Sequence, residues 1–239
     1  MFEVGKRRFI VLLVLAAVGP LSGAVGQDLV AVAPALAKIE YQDARVRVVR
    51  LKIPKHASLP THDRPRRVVI SLTANNVRLT RPDGTASETH TAAGDIAWSE
   101  SAVRSVRNLG NPVENIVVEL KRAEHPGELV ANPPAALPAR YLSESRHRWV
   151  LENQYVRVYD VRIPPGETTT FHRHAYDQVA IYVSGGLVSV QLEGQPWGQS
   201  ETIASGGVSF AANTAKPITH RVRNDGKAEY HVVLVQFLE

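Results

Sequence analysis

The sequence predicts an all-β protein in which one unit occurs twice in tandem. Short segments alternate apolar and polar residues, as in residues 46–53, and few segments show a helical period. Turn residues such as Pro82-Asp83-Gly84 separate these segments. Many short strands at near-even spacing are typical of a β-barrel or a β-sandwich.

The duplication rests on matches that keep the same order along the chain. Residues 46–54 align with residues 156–164 at a shift of 110 (156 − 46), and His62 aligns with His172 at the same shift. Near the end of each unit, residues 116–120 match residues 232–236. Each unit is long enough to bury one modest hydrophobic core.

These matches define the expected domain boundaries. We expect a signal peptide over residues 1–26 and a first, degenerate barrel over residues 38–121. Residues 122–141 are rich in Pro and Ala and are expected to form a linker, some of which could pair as a strand with the other barrel. The second barrel is expected over residues 142–239.

The N-terminus has the pattern of an export signal. Lys6-Arg7-Arg8 precedes an apolar run over residues 9–18, which is too short to span a bilayer comfortably. Small residues follow, and cleavage is expected before Gln27 or after Ala24; an uncleaved membrane anchor is the alternative. We therefore expect an exported protein, periplasmic or secreted, with no stable membrane span once the signal is removed.

The composition narrows the class of protein further. The chain has no cysteine, so a packed core rather than disulfide bonds must stabilise it. Its formal net charge of +5 is mildly basic, and no basic cluster is interleaved with aromatic residues. We expect no nucleic-acid partner; the expected partner is a small-molecule ligand, and a homo-oligomer is compatible with the sequence.

Three histidines in the second unit have the spacing of a metal site. His172 and His174 stand at i and i+2, so in a strand they point to the same face. His220 alternates with Arg221 and Arg223, and the long charged side chains favour the outside, so His220 is expected to point inward. Neutral imidazole is a common ligand of iron, nickel, copper and zinc.

The residues around these histidines resemble the two motifs of the cupin superfamily. The first motif is matched by Gly166-x5-His172-x-His174-x3-Gln178-x6-Gly185, and the second by the stretch from Gly206-Gly207 to His220-x3-Asn224. The resemblance covers about residues 150–239 and implies an RmlC-like jelly-roll, or double-stranded β-helix, barrel. Together with the repeat, it implies a bicupin of the quercetin-dioxygenase-like type.

The chain departs from the family pattern at two points. Gln178 stands where the family has a carboxylate ligand, and the second motif lacks its P-x-G turn. The resemblance therefore implies a three-His centre, His172, His174 and His220, for a divalent transition metal (Fe, Ni, Cu or Zn). Gln178 and Tyr182 are expected to shape the pocket. His231 is expected either to line the pocket or to be a hydrogen-bonded strand histidine.

Three functions remain open at this point. The first is an exported protein that binds a small molecule at the metal centre without turnover. The second is a metal-dependent dioxygenase, quercetinase-like or of the three-His type, acting on a small chelating organic substrate. The third is a metal-free sugar isomerase or epimerase, for which His62-Asp63 is the one indication, although adjacent strand residues face apart.

In the first unit the same positions carry different chemistry. His62 is retained, but Arg64 and Arg104 align with His174 and His220, and Val68 aligns with Gln178. One histidine and two guanidinium groups cannot hold a divalent cation, so His62, Arg64 and Arg104 are expected either to bind an anion or to fill a structural barrel. The remaining histidines, among them His147, are expected to be solvated in loop or linker segments.

Overall fold

A computed structural model describes residues 27–121, 130–131 and 144–238 of the chain. The expected signal peptide lies outside these residues, as does the linker apart from residues 130 and 131. Among the described residues, a short helix, α1 (Leu29–Val32), precedes the strands, and Asp28 caps it by accepting hydrogen bonds from the N–H groups of Val30 and Ala31. No helix in these ranges is long and apolar enough to cross a membrane.

The first unit contains nine strands. They are β1 (Ala37–Gln42), β2 (Val46–Ile53), β3 (Ser58–Arg64), β4 (Arg67–Ser71), β5 (Asn75–Thr80), β6 (Ala86–Thr91), β7 (Ile96–Ser99), β8 (Ala102–Asn108) and β9 (Val113–Leu120). They form two antiparallel sheets with the orders β1-β2-β9-β4-β7 and β3-β8-β5-β6. Pro82-Asp83-Gly84 makes the predicted turn between β5 and β6, with Gly84 at a φ of 84°.

The second unit repeats this arrangement. Its strands are β11 (His147–Glu152), β12 (Val156–Ile163), β13 (His172–His174), β14 (Gln178–Ser184), β15 (Gly186–Leu192), β16 (Glu201–Ile203), β17 (Val208–Ala211), β18 (Ile218–Asn224) and β19 (Tyr230–Phe237). Their orders, β11-β12-β19-β14-β17 and β13-β18-β15-β16, equal those of the first unit with ten added to every strand number. The predicted all-β class with two tandem jelly-roll barrels is therefore confirmed.

A further strand comes from the predicted linker segment. Residues 130 and 131 form β10 (Val130–Ala131), which pairs antiparallel with β11 of the second barrel. It extends that barrel's larger sheet to six strands, whereas the equivalent sheet of the first barrel has five.

Strand register corrects two alignments between the two barrels. Leu120 pairs with Val46, and Phe237 pairs with Val156, so residues 116–120 match residues 233–237 rather than residues 232–236.

The second correction concerns the position of Gln178. Arg67 pairs with Glu119 on β9, and Gln178 pairs with Gln236 on β19, so Arg67 rather than Val68 occupies the position of Gln178. The segment from His62 to Arg67 is one residue shorter than the segment from His172 to Gln178, which a uniform shift of 110 does not allow for. A one-residue slip turns a strand's side chains to the other face.

The two barrels share a hydrophobic core between their larger sheets. One buried cluster includes Val48 and Val118 of the first barrel with Val158 and Val233 of the second. At its edge the ring of Tyr41 stacks on that of Phe210, with centroids 4.4 Å apart. The smaller sheets close each barrel on its other side, so each barrel keeps a cavity of its own.

Candidate metal centre

Four histidines converge in a cavity of about 230 Å³ inside the second barrel. His172 and His174 lie on β13, and His220 lies on β18 directly opposite His172. The ring centroid of His220 is 4.7 Å from that of His172 and 4.9 Å from that of His174. The structure thus brings the three sequence-predicted ligands together on the inner face of the barrel.

His147 is the fourth histidine, and the expectation that it would be solvated is wrong. It begins β11, is 6% exposed and lines the same cavity. Its ring centroid is 4.3 Å from that of His172, and the ligand nitrogens of His147, His172 and His174 all lie within 4.8 Å of one another. The alternation of His147 and Trp149 with the charged Arg148 was the available sequence signal for an inward-facing strand.

Hydrogen bonds orient two of these rings. A carbonyl oxygen can only accept, so the 2.8 Å contact with the carbonyl of Thr170 places a proton on His172 Nδ1. The Nε2 lone pair of His172 is buried without a hydrogen-bond partner in the described portion of the chain, and so is Nδ1 of His174. His147 contacts the Glu144 carboxylate through Nδ1 at 2.8 Å. Such outer contacts are the usual means of aiming a histidine at a metal.

All three predicted ligands are neutral at pH 7. Burial, and then the neighbouring imidazoles, lower the pKa of His172 to about 3, that of His174 to about 2 and that of His220 to about 4. Neutral imidazoles keep their lone pairs available to a metal near physiological pH.

Glu144 links two regions of the site. Burial alone would raise the pKa of its carboxyl, but hydrogen bonds and charge interaction with His147 outweigh burial and lower the pKa below its usual range. Its second oxygen accepts a hydrogen bond from the N–H of Thr170 at 3.3 Å, and the carbonyl of Thr170 orients His172. One buried carboxylate therefore holds both His147 and the segment that leads into β13.

Two of the three expected pocket residues line the cavity, and the third does not. Gln178 lies beside His174 and accepts a hydrogen bond of 3.3 Å from Gln236, while Tyr182 bonds to Ser209 at 2.8 Å. His231 instead contacts Asp160 through Nε2 at 2.5 Å. Because residues alternate along β19, Tyr230, Val232 and Leu234 face the cavity and His231 faces away. It is a hydrogen-bonded strand histidine.

The rest of the cavity wall is apolar. The apolar side chains that line it come from both sheets and are Val161, Ile163, Ala180, Val188, Val190, Ile203, Ala211, Ile218, Val222, Val232 and Leu234. The histidines therefore form one polar region of an otherwise hydrophobic pocket, which suits a small organic molecule that carries one or two polar donor groups.

The first barrel keeps one of these histidines in the same orientation. His62 is 1% exposed and contacts the carbonyl of Pro60 at 2.8 Å through Nδ1, as His172 contacts Thr170. Arg104 lies opposite His62, and Arg64 and Arg67 line the cavity beside it. Asp63 does not line that cavity, so His62 and Asp63 do not form the acid–base pair of an isomerase.

Comparison with solved structures places this architecture among known proteins. No protein-family model and no curated protein sequence matches the chain. Its structure is similar to AerE from Microcystis aeruginosa, with a TM-score of 0.54 and 14% identity over 85% of this chain and 98% of that chain. It is also similar to the formate complex of oxalate decarboxylase from Lactobacillus farciminis, with a TM-score of 0.54 and 13% identity over 85% and 84% of the two chains.

An oxalate decarboxylase from Bacillus subtilis gives a further likeness, with a TM-score of 0.52 and 14% identity over 80% of this chain and 68% of that one. These similarities concern the fold. The chain has the cupin fold, and its two barrels make it a bicupin.

Proposed function

We propose that the second barrel binds one divalent transition metal through His172, His174 and His220, and that this metal captures a small organic ligand inside the cavity. The observation that carries the proposal is the pair of buried imidazole lone pairs, on His172 Nε2 and His174 Nδ1, that no hydrogen bond satisfies within the described residues. A buried polar atom without a partner is costly, and a bound metal ion would satisfy these nitrogens.

The ligand set favours particular metals. The three proposed ligands, His172, His174 and His220, are neutral imidazoles, and the family's carboxylate position holds the amide of Gln178. Imidazole suits iron, nickel, copper and zinc, whereas manganese prefers oxygen ligands. The Bacillus subtilis oxalate decarboxylase is described with Mn(II) centres. The present chain is therefore proposed to prefer Zn²⁺, Cu²⁺, Ni²⁺ or Fe²⁺ over Mn²⁺.

Binding by metal-free protein tests the proposal. Calorimetric titration with Zn²⁺ and Ni²⁺ should give one site per chain, and Mn²⁺ should bind more weakly. His172→Ala and His220→Ala should each weaken Zn²⁺ binding by at least about tenfold, since removal of a metal-site partner costs that much even in the outer shell. His90→Ala, an exposed histidine on β6, is the matched control and should bind as the parent does. Equal Zn²⁺ affinity in the parent and in His172→Ala would refute the site.

A metal-dependent dioxygenase is the second candidate, and the pair of His147 and Glu144 favours it. This histidine lies against His172 with Nδ1 held by the carboxylate, so Nε2 can accept a proton from a ligand in the cavity. A metal at the three histidines would supply Lewis acidity and orient the ligand. The same His147 could instead act as a fourth metal ligand and close the site to oxygen.

Oxygen consumption separates the two candidates. The metal-loaded protein is assayed with diketones, thiols and flavonols, together with a His147→Gln variant. An enzyme should consume oxygen with one of these classes, and His147→Gln should slow turnover by about 10²–10⁴-fold, the usual contribution of a general base. Ligand binding without oxygen consumption would identify a binding protein.

Export is also proposed, on the strength of the basic stretch and apolar run at the N-terminus. N-terminal sequencing of the protein recovered from a periplasmic fraction tests it. A mature chain that begins near Gln27 is the expected result, and full-length protein confined to the cytoplasm would contradict it.

A further inference from the structure

The first barrel encloses a second cavity, of about 250 Å³, whose chemistry is opposite to that of the metal centre. Arg64 and Arg67 line it beside His62. Much of the rest of its wall is apolar, with side chains that include Leu51, Ile53, Leu59, Val106 and Val117. The cavity therefore combines positively charged side chains with a mainly apolar wall. The sheets of the first barrel separate it from the metal centre.

Arg67 is buried without a full set of partners. It is 2% exposed, and its Nε donates to the carbonyl of Pro65 at 2.8 Å. Its Nη1 lies 3.4 Å from Glu119, while Nη2 is buried with no hydrogen-bond partner among the residues that the structure describes. A buried guanidinium nitrogen without an acceptor is the kind of group that a ligand oxygen satisfies.

The carboxylate beside Arg67, that of Glu119, also pairs with a second arginine. Glu119 makes a 2.6 Å ion pair with Arg47, which also pairs with Asp28 at 2.6 Å. Arg64 makes no hydrogen bond or ion pair within the described ranges of the chain, and Arg104 has a buried, unpartnered Nε. The ion pairs of this arginine cluster (47, 64, 67, 104) within the described residues involve two carboxylates, Asp28 and Glu119, and neither of them forms an ion pair with Arg64 or Arg104.

One more acid lines the cavity but does not neutralise this cluster. Asp95 is exposed, and its carboxylate accepts a hydrogen bond from the N–H of Ala92 at 2.8 Å. Along the paired strands it precedes Ile96, the partner of Ile70, whereas Arg67 pairs with Ser99 at the other end of β7. Asp95 therefore lies away from the arginine end of the cavity.

We propose that this cavity binds a small organic carboxylate, with the carboxylate group held by Arg64 and Arg67 and the apolar portion of the molecule in the hydrophobic chamber. The planar guanidinium group presents paired donors that match the two oxygens of a carboxylate. The apolar wall favours an organic anion over inorganic phosphate, which would leave that wall without contacts. Arg64 and Arg67 occupy the positions of His174 and Gln178 in the second barrel, so equivalent positions of the two barrels would bind ligands of opposite charge.

The protonation state of the arginines is compatible with this role. Burial, and then the charge of Arg104, lowers the pKa of Arg64 to about 10. Burial, and then the charge of Arg64, lowers the pKa of Arg67 to about 9. Both groups remain charged at neutral pH, so the cluster carries a self-repulsion that a bound anion would relieve.

The test uses metal-free full-length protein, so that a carboxylate cannot bind through a metal in the second barrel. Benzoate and butyrate are titrated by calorimetry and by thermal shift, with benzamide as the neutral counterpart of benzoate and with inorganic phosphate as a second comparison. Benzoate or butyrate should raise the Tm and bind at one site per chain, while benzamide and phosphate should have much weaker effects.

Arg64→Gln identifies the site. It should weaken carboxylate binding at least tenfold while leaving Zn²⁺ binding in the second barrel unchanged. Its ligand-free Tm should equal or exceed that of the parent, because the substitution removes an unpaired, partly buried charge. Arg78→Gln is the matched control: Arg78 lies on β5 of the same barrel, is half exposed and pairs with Glu88. It should leave carboxylate binding unaffected.

Three outcomes would overturn the proposal: no effect of either carboxylate on the parent protein, an equal effect of benzamide or of phosphate, or undiminished carboxylate binding by Arg64→Gln. A lower ligand-free Tm in Arg64→Gln together with no carboxylate binding by the parent would show that the arginines only fill the barrel. Because Zn²⁺ binding is measured separately on the same proteins, failure here is distinguishable from failure of the metal centre.

Discussion

Arg67 and Gln178 occupy the same position in the two barrels. Arg67 lies opposite Glu119 on the last strand of its barrel, and Gln178 lies opposite Gln236 on the last strand of the other. The first pair is charged, with 3.4 Å between Nη1 and a carboxylate oxygen, and the second is a neutral amide contact of 3.3 Å. This difference accompanies the replacement of His174 and His220 in the second barrel by Arg64 and Arg104 in the first, while His172 is matched by His62.

The charged pair gives a prediction about stability. Glu119 is 1% exposed and pairs with both Arg47 and Arg67. Glu119→Gln should therefore leave the buried guanidinium group of Arg67 without a counter-charge, while Arg47 keeps only its pair with Asp28. Breaking a buried ion pair from one side costs ~3–5 kcal/mol. Urea unfolding should show a loss of that order. Glu88→Gln removes an exposed partner of Arg78 and should cost ~1 kcal/mol or less; equal losses in the two variants would contradict the account.

The histidine cluster predicts an acid-sensitive metal-free protein. Burial lowers the folded-state pKa of His172, His174 and His220 to about 3, 2 and 4, whereas unfolded histidine titrates near its ordinary value of 6.5. Below pH 6.5 the unfolded chain therefore binds more protons, and the free energy of unfolding falls as the pH falls. Each histidine contributes up to ~1.4 kcal/mol per pH unit.

Unfolding of metal-free protein by urea between pH 7.5 and 5 measures this effect in a range above the ordinary pKa of most carboxyl groups. His174→Gln should reduce the slope of the free energy of unfolding against pH by the contribution of one histidine. If the free energy of unfolding of the parent protein does not change over that pH range, the claim that burial lowers the pKa of the clustered histidines is wrong.

Much of the fold could be predicted from the sequence because its signals are local or repeated. Period-two alternation identified strands, and matched segments such as residues 46–54 and 156–164 identified the duplication. The two histidines of β13 faced the same way because strand side chains alternate. The inward direction of His220 followed from the outward preference of its arginine neighbours.

The features that could not be predicted from the sequence depend on strand register and on contacts between residues that are far apart in the chain. Arg67 entered the first cavity because the segment before β4 is one residue shorter than its counterpart, which a uniform shift concealed. His147 follows a linker-like segment, which hid the start of β11, and its pairing with Val161 confirms that it lies on an inner face. His231 was left open between two roles because its partner, Asp160, is 71 residues away in the chain.

Asn224 gives a prediction about the last residue of the second motif. It is 0% exposed, and its Nδ2 donates to the carbonyls of Ile163 and Ala228, each at 2.8 Å. Asn108 makes the equivalent bonds in the first barrel, to the carbonyls of Ile53 and Asn111. Because both barrels contain these hydrogen bonds although only the second has the three-histidine set, the asparagine is structural.

Asn224→Ala and Asn108→Ala should therefore each destabilise the protein by ~2–4 kcal/mol, because each removes at least three side-chain hydrogen bonds and leaves backbone carbonyls unsatisfied. Thermal unfolding of each variant checks the stability. Metal binding by Asn108→Ala, measured while it is folded, should equal that of the parent. A loss of metal binding in the Asn108 variant would contradict a purely structural role in the first barrel.

The shared core predicts that the two barrels unfold together. Ile70 of the first barrel and Ile181 of the second are both fully buried in the cluster that joins the larger sheets. Ile70→Ala and Ile181→Ala should each cost ~2–5 kcal/mol, and calorimetry should show one transition that shifts in both variants. Two transitions, each shifted by only one of the substitutions, would show that the barrels are independent.

The central claim is that imidazoles of the second barrel, and no carboxylate, hold the metal. X-ray absorption spectroscopy of protein that carries one equivalent of Zn²⁺ tests it most directly. The account predicts three or four imidazole nitrogens at ~2.0–2.1 Å from the ion, with this signature lost in the His172→Ala, His174→Ala double variant. A first shell made mainly of oxygen, or an imidazole signature that persists in the double variant, would contradict it.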